Sequence, residues 1–161
     1  MLDPRERIDG FEGVAALTPN VGELARFAGV DARTLDDPAA LREAADAVRA
    51  RTGCRMLLVT RGNLGMALFG DGAGPAGLAV AASGDREVTD VSGAGDTSAA
   101  VFALALAAGR EPGEAMRLAN LAGGVVVMEN GTAVCPLDRL RDLAADAGGP
   151  RVVPLGEERA S

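Results

Sequence analysis

The sequence predicts an α/β fold, in which helices cover the faces of a central sheet. Short apolar runs of strand length alternate with longer stretches whose apolar residues recur at helical spacing. Clusters of Gly, Pro and Asn separate the two kinds of segment. Such alternation is typical of layered α/β proteins. The 161 residues, 48% of them apolar, are enough for one domain with a sizeable buried core.

The first half of the chain is predicted to supply two strands and two helices. Asn20 and Glu23 have the spacing of a capping box, in which two side chains reciprocally accept hydrogen bonds at a helix start. Pro38 follows two aspartates and suits the first turn of a second helix, which Gly53 ends. In chain order the predicted elements are a strand over 13–18, a helix over 20–28, a helix over 36–52 and a strand over 55–60.

The second half is predicted to contain an antiparallel hairpin followed by three helices. The Gly- and Pro-rich residues 70–77 separate two apolar runs and predict a turn between strands. The predicted elements are strands over 66–69 and 78–82 and helices over 95–108, 112–128 and 137–145. From Gly148 onward the sequence is rich in turn formers. We therefore expect residues 1–147 to form the domain and residues 148–161 to form a loose tail or linker.

The composition argues against several classes of site. The net charge is −7 and no basic cluster stands out, which argues against nucleic-acid binding. The chain has no His, so a Ser-His-Asp triad and a His-liganded zinc are excluded. Cys54 and Cys135 are isolated and are expected to be buried thiols in a reducing compartment. With no apolar run long enough to cross a bilayer and no secretory signal, we expect a cytoplasmic protein.

Gly93, Ala94, Gly95 and Asp96 form a candidate phosphate site. Small residues before an apolar helix let a ligand approach the backbone, and the unpaired amides and dipole of a first turn attract anions. Asp96 could then accept the proton of an attacking hydroxyl. Alternatively, the segment is a Gly-rich loop whose aspartate stabilises the helix dipole. These four residues alone favour the second interpretation.

Four segments together resemble the ribokinase-like (PfkB) carbohydrate kinase family. The segment DVSGAGD (90–96) is similar to the family signature D-T-x-G-A-G-D, with Val91 in place of Thr. In the expected order, TPNVGE (18–23) resembles the N-x-x-E element, VTRGNLG (59–65) the strand-turn segment beside the nucleotide, and ANLAGGVVV (119–127) the helix that borders the adenine. The resemblance implies a ribokinase-like layered fold, a central mostly parallel sheet flanked by helices, present as its C-terminal part.

The resemblance also implies a role for each matching residue. Asp96 becomes the general base on the acceptor hydroxyl, and Gly93, Ala94 and Gly95 form the anion hole for the transferred phosphoryl group. The resemblance implies contacts with the phosphates or nucleotide of ATP for Asn20, Thr60, Gly62, Gly65 and Asn120. Glu23 would hold Mg²⁺ through water. A monovalent cation such as K⁺ would bind at Asp90 and Ser92, together with backbone near Val126, Glu129 and Gly131. Some relatives place a Ser hydroxyl where Cys135 stands.

Most of these residues also have a purely structural interpretation. Asn20 and Glu23 are equally well explained as a helix cap. Gly62 and Gly65 could serve only a tight turn, and Asn120 could be a polar residue on a helix surface. It is the ordered occurrence of all four segments that favours the kinase interpretation.

Within the family, residues 55–70 and 119–136 look most like the kinase domain of the heptose-7-phosphate kinases, many of which are fused to an adenylyltransferase for ADP-heptose, a lipopolysaccharide precursor. A complete family member is close to twice as long. The missing N-terminal half would carry most sugar contacts and the strands that often build a homodimer. We therefore expect the chain to be the phosphate and nucleotide half of a site, with low stability on its own.

The leading hypothesis is thus ATP-dependent phosphorylation of a sugar or sugar-phosphate hydroxyl, with heptose 7-phosphate the first candidate. A kinase of the same family acting on fructose, ribose or a nucleoside is one alternative. Another is a truncated, non-catalytic nucleotide-binding module. A dinucleotide-dependent oxidoreductase is disfavoured, because Ser98 stands where the third glycine of G-x-G-x-x-G is needed.

Overall fold

The computed structural model describes residues 1, 3–4, 8–10, 12–83, 93–127, 134–146 and 148–157. Its strands are β1 (Ala16–Leu17), β2 (Met56–Thr60), β3 (Met66–Gly70), β4 (Leu78–Val80) and β5 (Val152–Pro154). Its α-helices are α1 (Val21–Ala28), α2 (Pro38–Thr52), α3 (Ala94–Ala107), α4 (Pro112–Val127) and α5 (Leu137–Ala145). Short 3₁₀ turns lie at Ala32–Asp36 and Gly62–Leu64. The predicted order of strands and helices is confirmed.

The ends of the first two helices follow from local sequence. Asn20 Oδ1 accepts from the Glu23 amide and Glu23 Oε2 accepts from the Asn20 amide, both at 2.8 Å, so the predicted capping box is present. Asp37 accepts from the amides of residues 39 and 40 at the start of α2, where Pro38 has no N–H and so needs no acceptor. Gly53 ends α2 in the left-handed region at φ 64°, which favours glycine.

The five strands form one mixed sheet in the order β1-β2-β3-β4-β5. Strands β1 and β2 are parallel, whereas each later neighbour pair is antiparallel. The predicted hairpin is therefore confirmed, and it makes β4 run in the same direction as β2. The parallel character expected for the complete fold is confined, among the described strands, to the first pair.

Helices cover both faces of the sheet and enclose two separate cores. Successive residues of a strand point to opposite faces. Accordingly, Leu57 and Val59 pack with α1 and α2 on one face, while Met56 and Leu58 pack with α3 and α4 on the other. Strand residues in both sets are nearly inaccessible, which explains why β2 is apolar at every position before Thr60.

The segment after Gly148 is not a loose tail throughout. Val152–Pro154 pair with β4 as the antiparallel strand β5, and the Leu155 amide donates to the Gly77 carbonyl at 3.1 Å. Leu155 also packs against the core that contains α1 and α2. The edge of β4 thus provides backbone partners that the turn-rich composition of the segment does not reveal.

Two further expectations can be compared with the structure. Cys54 is buried as predicted, but Cys135 is partly exposed. Among the described residues, no helix is both long and apolar enough to cross a membrane.

Candidate active site

One edge of the sheet gathers several of the predicted site residues. Strands β1 and β2 are parallel and end at the same edge. Strand β4 ends there as well, because Thr60 at the end of β2 pairs with Met66 of β3, and Met66 pairs with Val80 at the end of β4. The Thr60 amide donates to the Pro19 carbonyl at 3.1 Å, and Asn20 forms a parallel bridge with Thr60. Ligands of open α/β sheets bind beyond the carboxyl ends of strands, which is the edge formed here.

Asn20 and Glu23 are fixed at this edge by the cap of α1. The cap uses one side-chain oxygen of each residue, and the carboxylate of Glu23 lies at the positive end of the helix dipole, half-buried. The structural interpretation of the pair as a helix cap is therefore correct. The cap also lies next to the backbone bridge between Asn20 and Thr60, where the resemblance places the phosphates.

The turn after β2 depends on its two glycines in different ways. The Gly65 amide donates to the Gly62 carbonyl at 3.0 Å, and the Arg61 amide donates to the Gly65 carbonyl at 2.8 Å. Gly65 has φ 84°, and a Cβ there would lie 2.0 Å from the Val80 carbonyl oxygen. Gly62 has φ 57° but open space around it. Gly65 is thus required for packing against the end of β4, whereas Gly62 presents open backbone at the same edge.

The small residues Gly93, Ala94 and Gly95 form the start of α3. Gly93 is the N-cap and adopts φ 83°. The Thr97 amide donates to the Gly93 carbonyl at 2.9 Å, which is the first hydrogen bond of the helix. Asp96 is exposed in the first turn. Gly95 is helical, and a Cβ there would meet nothing within 4 Å, so neither its backbone conformation nor its packing requires glycine. Amides in the first turn of a helix lack intrahelical partners, and such amides attract anions.

Asn120 connects α4 to the end of β4. Its side chain is 4% exposed, and Nδ2 donates to the Ala81 carbonyl at 2.9 Å. The alternative in which Asn120 lies on a helix surface is therefore wrong. Three residues further along α4, a Cβ on Gly123 would lie 3.7 Å from the Ala94 carbonyl oxygen. Helix α4 thus contacts both the end of β4 and the start of α3.

The chain matches the description "pfkB family carbohydrate kinase" over residues 5–139. It belongs to this family. The match covers all four motif segments and extends from the region before β1 into α5. The resemblance inferred from those segments is confirmed.

Curated relatives of this pfkB chain include bifunctional proteins named HldE. The chain is 44% identical over 146 residues to the protein of Caulobacter sp. (strain K31) and 43% identical over 141 residues to that of Chromohalobacter salexigens. These matches cover 89% and 87% of the chain but only 29% and 28% of the relatives. The chain therefore spans less than a third of their length.

Solved structures confirm the ribokinase-like fold. Ribokinase of Arabidopsis thaliana, solved with ribose and ATP, has a TM-score of 0.73 at 26% identity and matches 91% of this chain and 46% of its own. Phosphofructokinase-2 of Escherichia coli, solved with potassium, has a TM-score of 0.71 at 22% identity, over 83% of this chain and 41% of its own. The match to less than half of each neighbour agrees with the expectation of a partial kinase fold.

The carboxylate of Glu23 near the sheet edge of the pfkB chain fits a Mg²⁺ site that relies largely on water and phosphate ligands. Within the described ranges, no three Asp, Glu, Cys or His residues form a metal-binding cluster. Mg²⁺ in kinases commonly keeps several waters and uses one or two carboxylates with the substrate phosphates, so the single carboxylate of Glu23 at the sheet edge fits such a site. Asp90 and Ser92, the predicted monovalent cation ligands, lie outside the described residues, as do Glu129 and Gly131. Val126 is buried near the end of α4.

Sequence patterns did not identify two buried polar residues near the site. Arg61 is 5% exposed although it directly follows β2 in a turn, where charge normally faces water. Ser98 is 2% exposed, and its hydroxyl donates to the Ala119 carbonyl at 3.1 Å. The sequence does show that α3 and α4 are apolar helices rich in small residues, which favours close helix packing. It does not show that these two helices are neighbours, so the burial of Ser98 between them was not predictable.

Proposed function

We propose that the chain is the phosphate- and nucleotide-binding part of a carbohydrate kinase, which transfers a phosphoryl group from ATP to a hydroxyl of a sugar or sugar phosphate. The observation that carries this proposal is the start of α3. There Gly95 occupies a position at which no described neighbour requires glycine, beside an exposed aspartate and a glycine N-cap. A site for a transferring phosphoryl group gives a reason for all three.

The reaction assigns one step to Asp96. Its carboxylate takes the proton from the acceptor hydroxyl as that oxygen bonds to the γ-phosphorus, while the bond from the γ-phosphorus to the bridging oxygen breaks and ADP leaves. The amides of residues 93–95 stabilise the charge on the transferring group. An exposed carboxylate in a first helical turn is suited to this role because an acceptor hydroxyl can approach it from solvent.

The nucleotide is assigned to the sheet edge. Asn20 and Thr60, joined by their backbone bridge, lie where the phosphates would pass, and Gly62 offers open backbone beside them. Gly65 completes the proposed nucleotide-binding set, and Asn120 borders it through its hydrogen bond to the Ala81 carbonyl. Mg²⁺ held through water by Glu23 would neutralise phosphate charge, and K⁺ at Asp90 and Ser92 remains a proposal from the family resemblance.

We propose heptose 7-phosphate as the acceptor, with heptose 1,7-bisphosphate as the product. Support comes from the segments that resemble heptose-7-phosphate kinases and from the curated relatives, which are bifunctional HldE proteins at about 40% identity. The proposed partners of the whole protein are ATP, this sugar phosphate and a second copy in a homodimer. Fructose, ribose and nucleosides are the competing acceptors within the same family.

The test is ADP release by the whole protein that carries this chain. We expect phosphorylation of heptose 7-phosphate with a kcat/KM at least about tenfold above that for fructose, ribose or adenosine, a difference of about 1.4 kcal/mol in transition-state binding. The variant Asp96→Asn should abolish phosphorylation while leaving ATP affinity within about twofold, because a neutral amide keeps the shape but accepts no proton.

The matched control is Asp138→Asn, which neutralises another exposed aspartate in the first turn of a helix, α5. It should retain the activity of the unmutated protein. Near-normal turnover by Asp96→Asn would overturn the assignment of the base. ATP binding without phosphorylation of any acceptor by the unmutated protein would instead favour the non-catalytic nucleotide-binding module.

A further inference from the structure

We infer that Asn120 is a positioning residue for phosphoryl transfer, which acts by fixing the backbone of residues 81–83, here called the post-β4 segment. This inference rests on the proposed kinase function. It assigns Asn120 a task within the protein that differs from contact with the nucleotide. The evidence lies in what one turn of α4 contacts.

The post-β4 segment is held by α4 on one side. Asn120 Nδ2 donates to the Ala81 carbonyl at 2.9 Å. One turn later, a Cβ on Gly124 would lie 2.4 Å from the Ser83 carbonyl oxygen, so only glycine allows this approach. Residues 120 and 124 are neighbours on one helix face. They therefore contact the segment at both of its ends.

The turn after β2 also packs closely against the backbone of the post-β4 segment. A Cβ on Gly65 would lie 2.6 Å from both the Ala81 carbonyl carbon and the Ala82 nitrogen. Burial of apolar side chains contributes little to holding the segment in place, because Ala81 and Ala82 are exposed. Among the described residues, the position of the segment thus depends on backbone contacts and on the hydrogen bond from Asn120.

The same turn of α4 also contacts the start of α3. A Cβ on Gly123 would lie 2.5 Å from Ser98 Oγ and 3.7 Å from the Ala94 carbonyl oxygen. Residues 120–124 therefore contact the chain both before and after residues 84–92, at Ser83 and at Ala94. Asn120 is thereby placed to set where the chain leaves β4 relative to the anion-binding start of α3.

Positioning and nucleotide contact predict different kinetics. The variant Asn120→Asp replaces the Nδ2 donor by an oxygen that faces the Ala81 carbonyl. If Asn120 positions the segment, kcat falls by about 10- to 100-fold, since small displacements of catalytic groups have effects of this size, and the Kd of ATP changes less than about threefold. If Asn120 instead binds adenine directly, the Kd of ATP rises and kcat is nearly unchanged.

A second variant displaces the segment without changing any side-chain hydrogen-bonding group. Gly124→Ala introduces a methyl against the Ser83 carbonyl and should lower kcat in the same way. The double variant should lose less than the product of the two single losses, because both act on one segment. Gly113→Ala is the control for adding a methyl group to α4. Its Cβ would lie 3.2 Å from the end of the Leu78 side chain, which can move aside, and not against backbone. Thr52→Val is the control for loss of a buried hydrogen bond, the 2.9 Å bond to the Val48 carbonyl.

Hydrogen exchange at the amides of residues 81–83 gives a measurement independent of activity. We expect faster exchange there in Asn120→Asp and Gly124→Ala and unchanged exchange in both controls. Unchanged exchange, or faster exchange with the kcat of the unmutated protein, would overturn the positioning role. Failure of the unmutated protein to phosphorylate any acceptor would overturn the proposed function, while the exchange data would still show whether Asn120 fixes the segment.

Discussion

Gly123 of α4 lies directly against Ser98 of α3, where a methyl group on the glycine would come within 2.5 Å of the serine hydroxyl oxygen. That hydroxyl is buried and donates to the carbonyl of Ala119 at 3.1 Å. The two helices thus meet through small residues, with a side chain of one bonded to the backbone of the other. This close contact holds the start of α3 against α4.

The variant Gly123→Ala should therefore destabilise the fold. The added methyl forces Ser98 or the α4 backbone to shift, and overpacking of this kind typically costs about 1–3 kcal/mol. Gly113→Ala, in the same helix, should be neutral or raise the free energy of unfolding by up to about 1 kcal/mol through its higher helix propensity. Urea unfolding of both variants measures the difference, and equal effects would contradict the tight contact at Gly123.

Gly95→Ala should separate stability from activity. Because Gly95 is helical and a Cβ there meets nothing within 4 Å, alanine should raise the free energy of unfolding by about 0.4–1 kcal/mol. The same methyl would stand at the proposed phosphate site and should lower kcat/KM for ATP. Thermal unfolding and steady-state kinetics test the two effects separately. A stabilised variant with full activity would show that the anion does not approach Gly95.

Glu23→Gln should separate the helix cap from Mg²⁺ binding. Glutamine can still accept from the Asn20 amide, so the free energy of unfolding should change by less than about 0.5 kcal/mol. Loss of the carboxylate charge should raise the Mg²⁺ concentration required for half-maximal activity. For comparison, Asn20→Ala removes the cap and should cost about 1 kcal/mol. An unchanged Mg²⁺ dependence in Glu23→Gln would remove this residue from the metal site.

The stability of the protein should decrease in alkaline solution because of Cys54. Burial raises the pKa of the Cys54 thiol, and the opposing effects of the Thr52 hydrogen bond and the Arg49 charge are smaller. Above the usual thiol pKa the unfolded chain has lost this proton while the folded protein retains it. The folded state then binds more protons, so the free energy of unfolding falls as pH rises.

The chain is well suited to this measurement, because it contains no Lys, Tyr or His that would titrate in the same range. Denaturant unfolding between pH 7 and 10 should show the decrease, and Cys54→Ala should reduce it. In a thiol-reactivity assay, the partly exposed Cys135 should react in the folded protein and Cys54 only after unfolding. Rapid reaction of both thiols under native conditions would contradict the burial of Cys54.

Features set by neighbouring residues were predictable from sequence. The capping box of Asn20 and Glu23, the start of α2 at Pro38 and its end at Gly53 each depend on a few adjacent positions. The same holds for the hairpin, whose strands flank a Gly- and Pro-rich turn. The family motifs extended this local information to the choice of fold.

Features set by distant partners were not predictable. Asn120 and Ala81 are 39 positions apart, so nothing local indicates that the amide is buried and bonded to a carbonyl. The strand β5 pairs with β4, a partner more than 70 positions away that the residues around 152–154 do not indicate. The burial of Arg61 is likewise not indicated by its neighbours in the sequence. The catalytic and nucleotide-binding roles remain predictions for the experiments above.

The separation of the two cores by the sheet has a consequence for variation within such proteins. Helix α1, which Asn20 and Glu23 cap, packs on one core, whereas α3 and α4, which carry Asp96 and Asn120, pack on the other. A substitution confined to one core is therefore expected to act first on the group of residues that the helices of that core carry. Strand β2 contributes side chains to both cores. We therefore expect substitutions in β2 to alter the relative positions of the two groups.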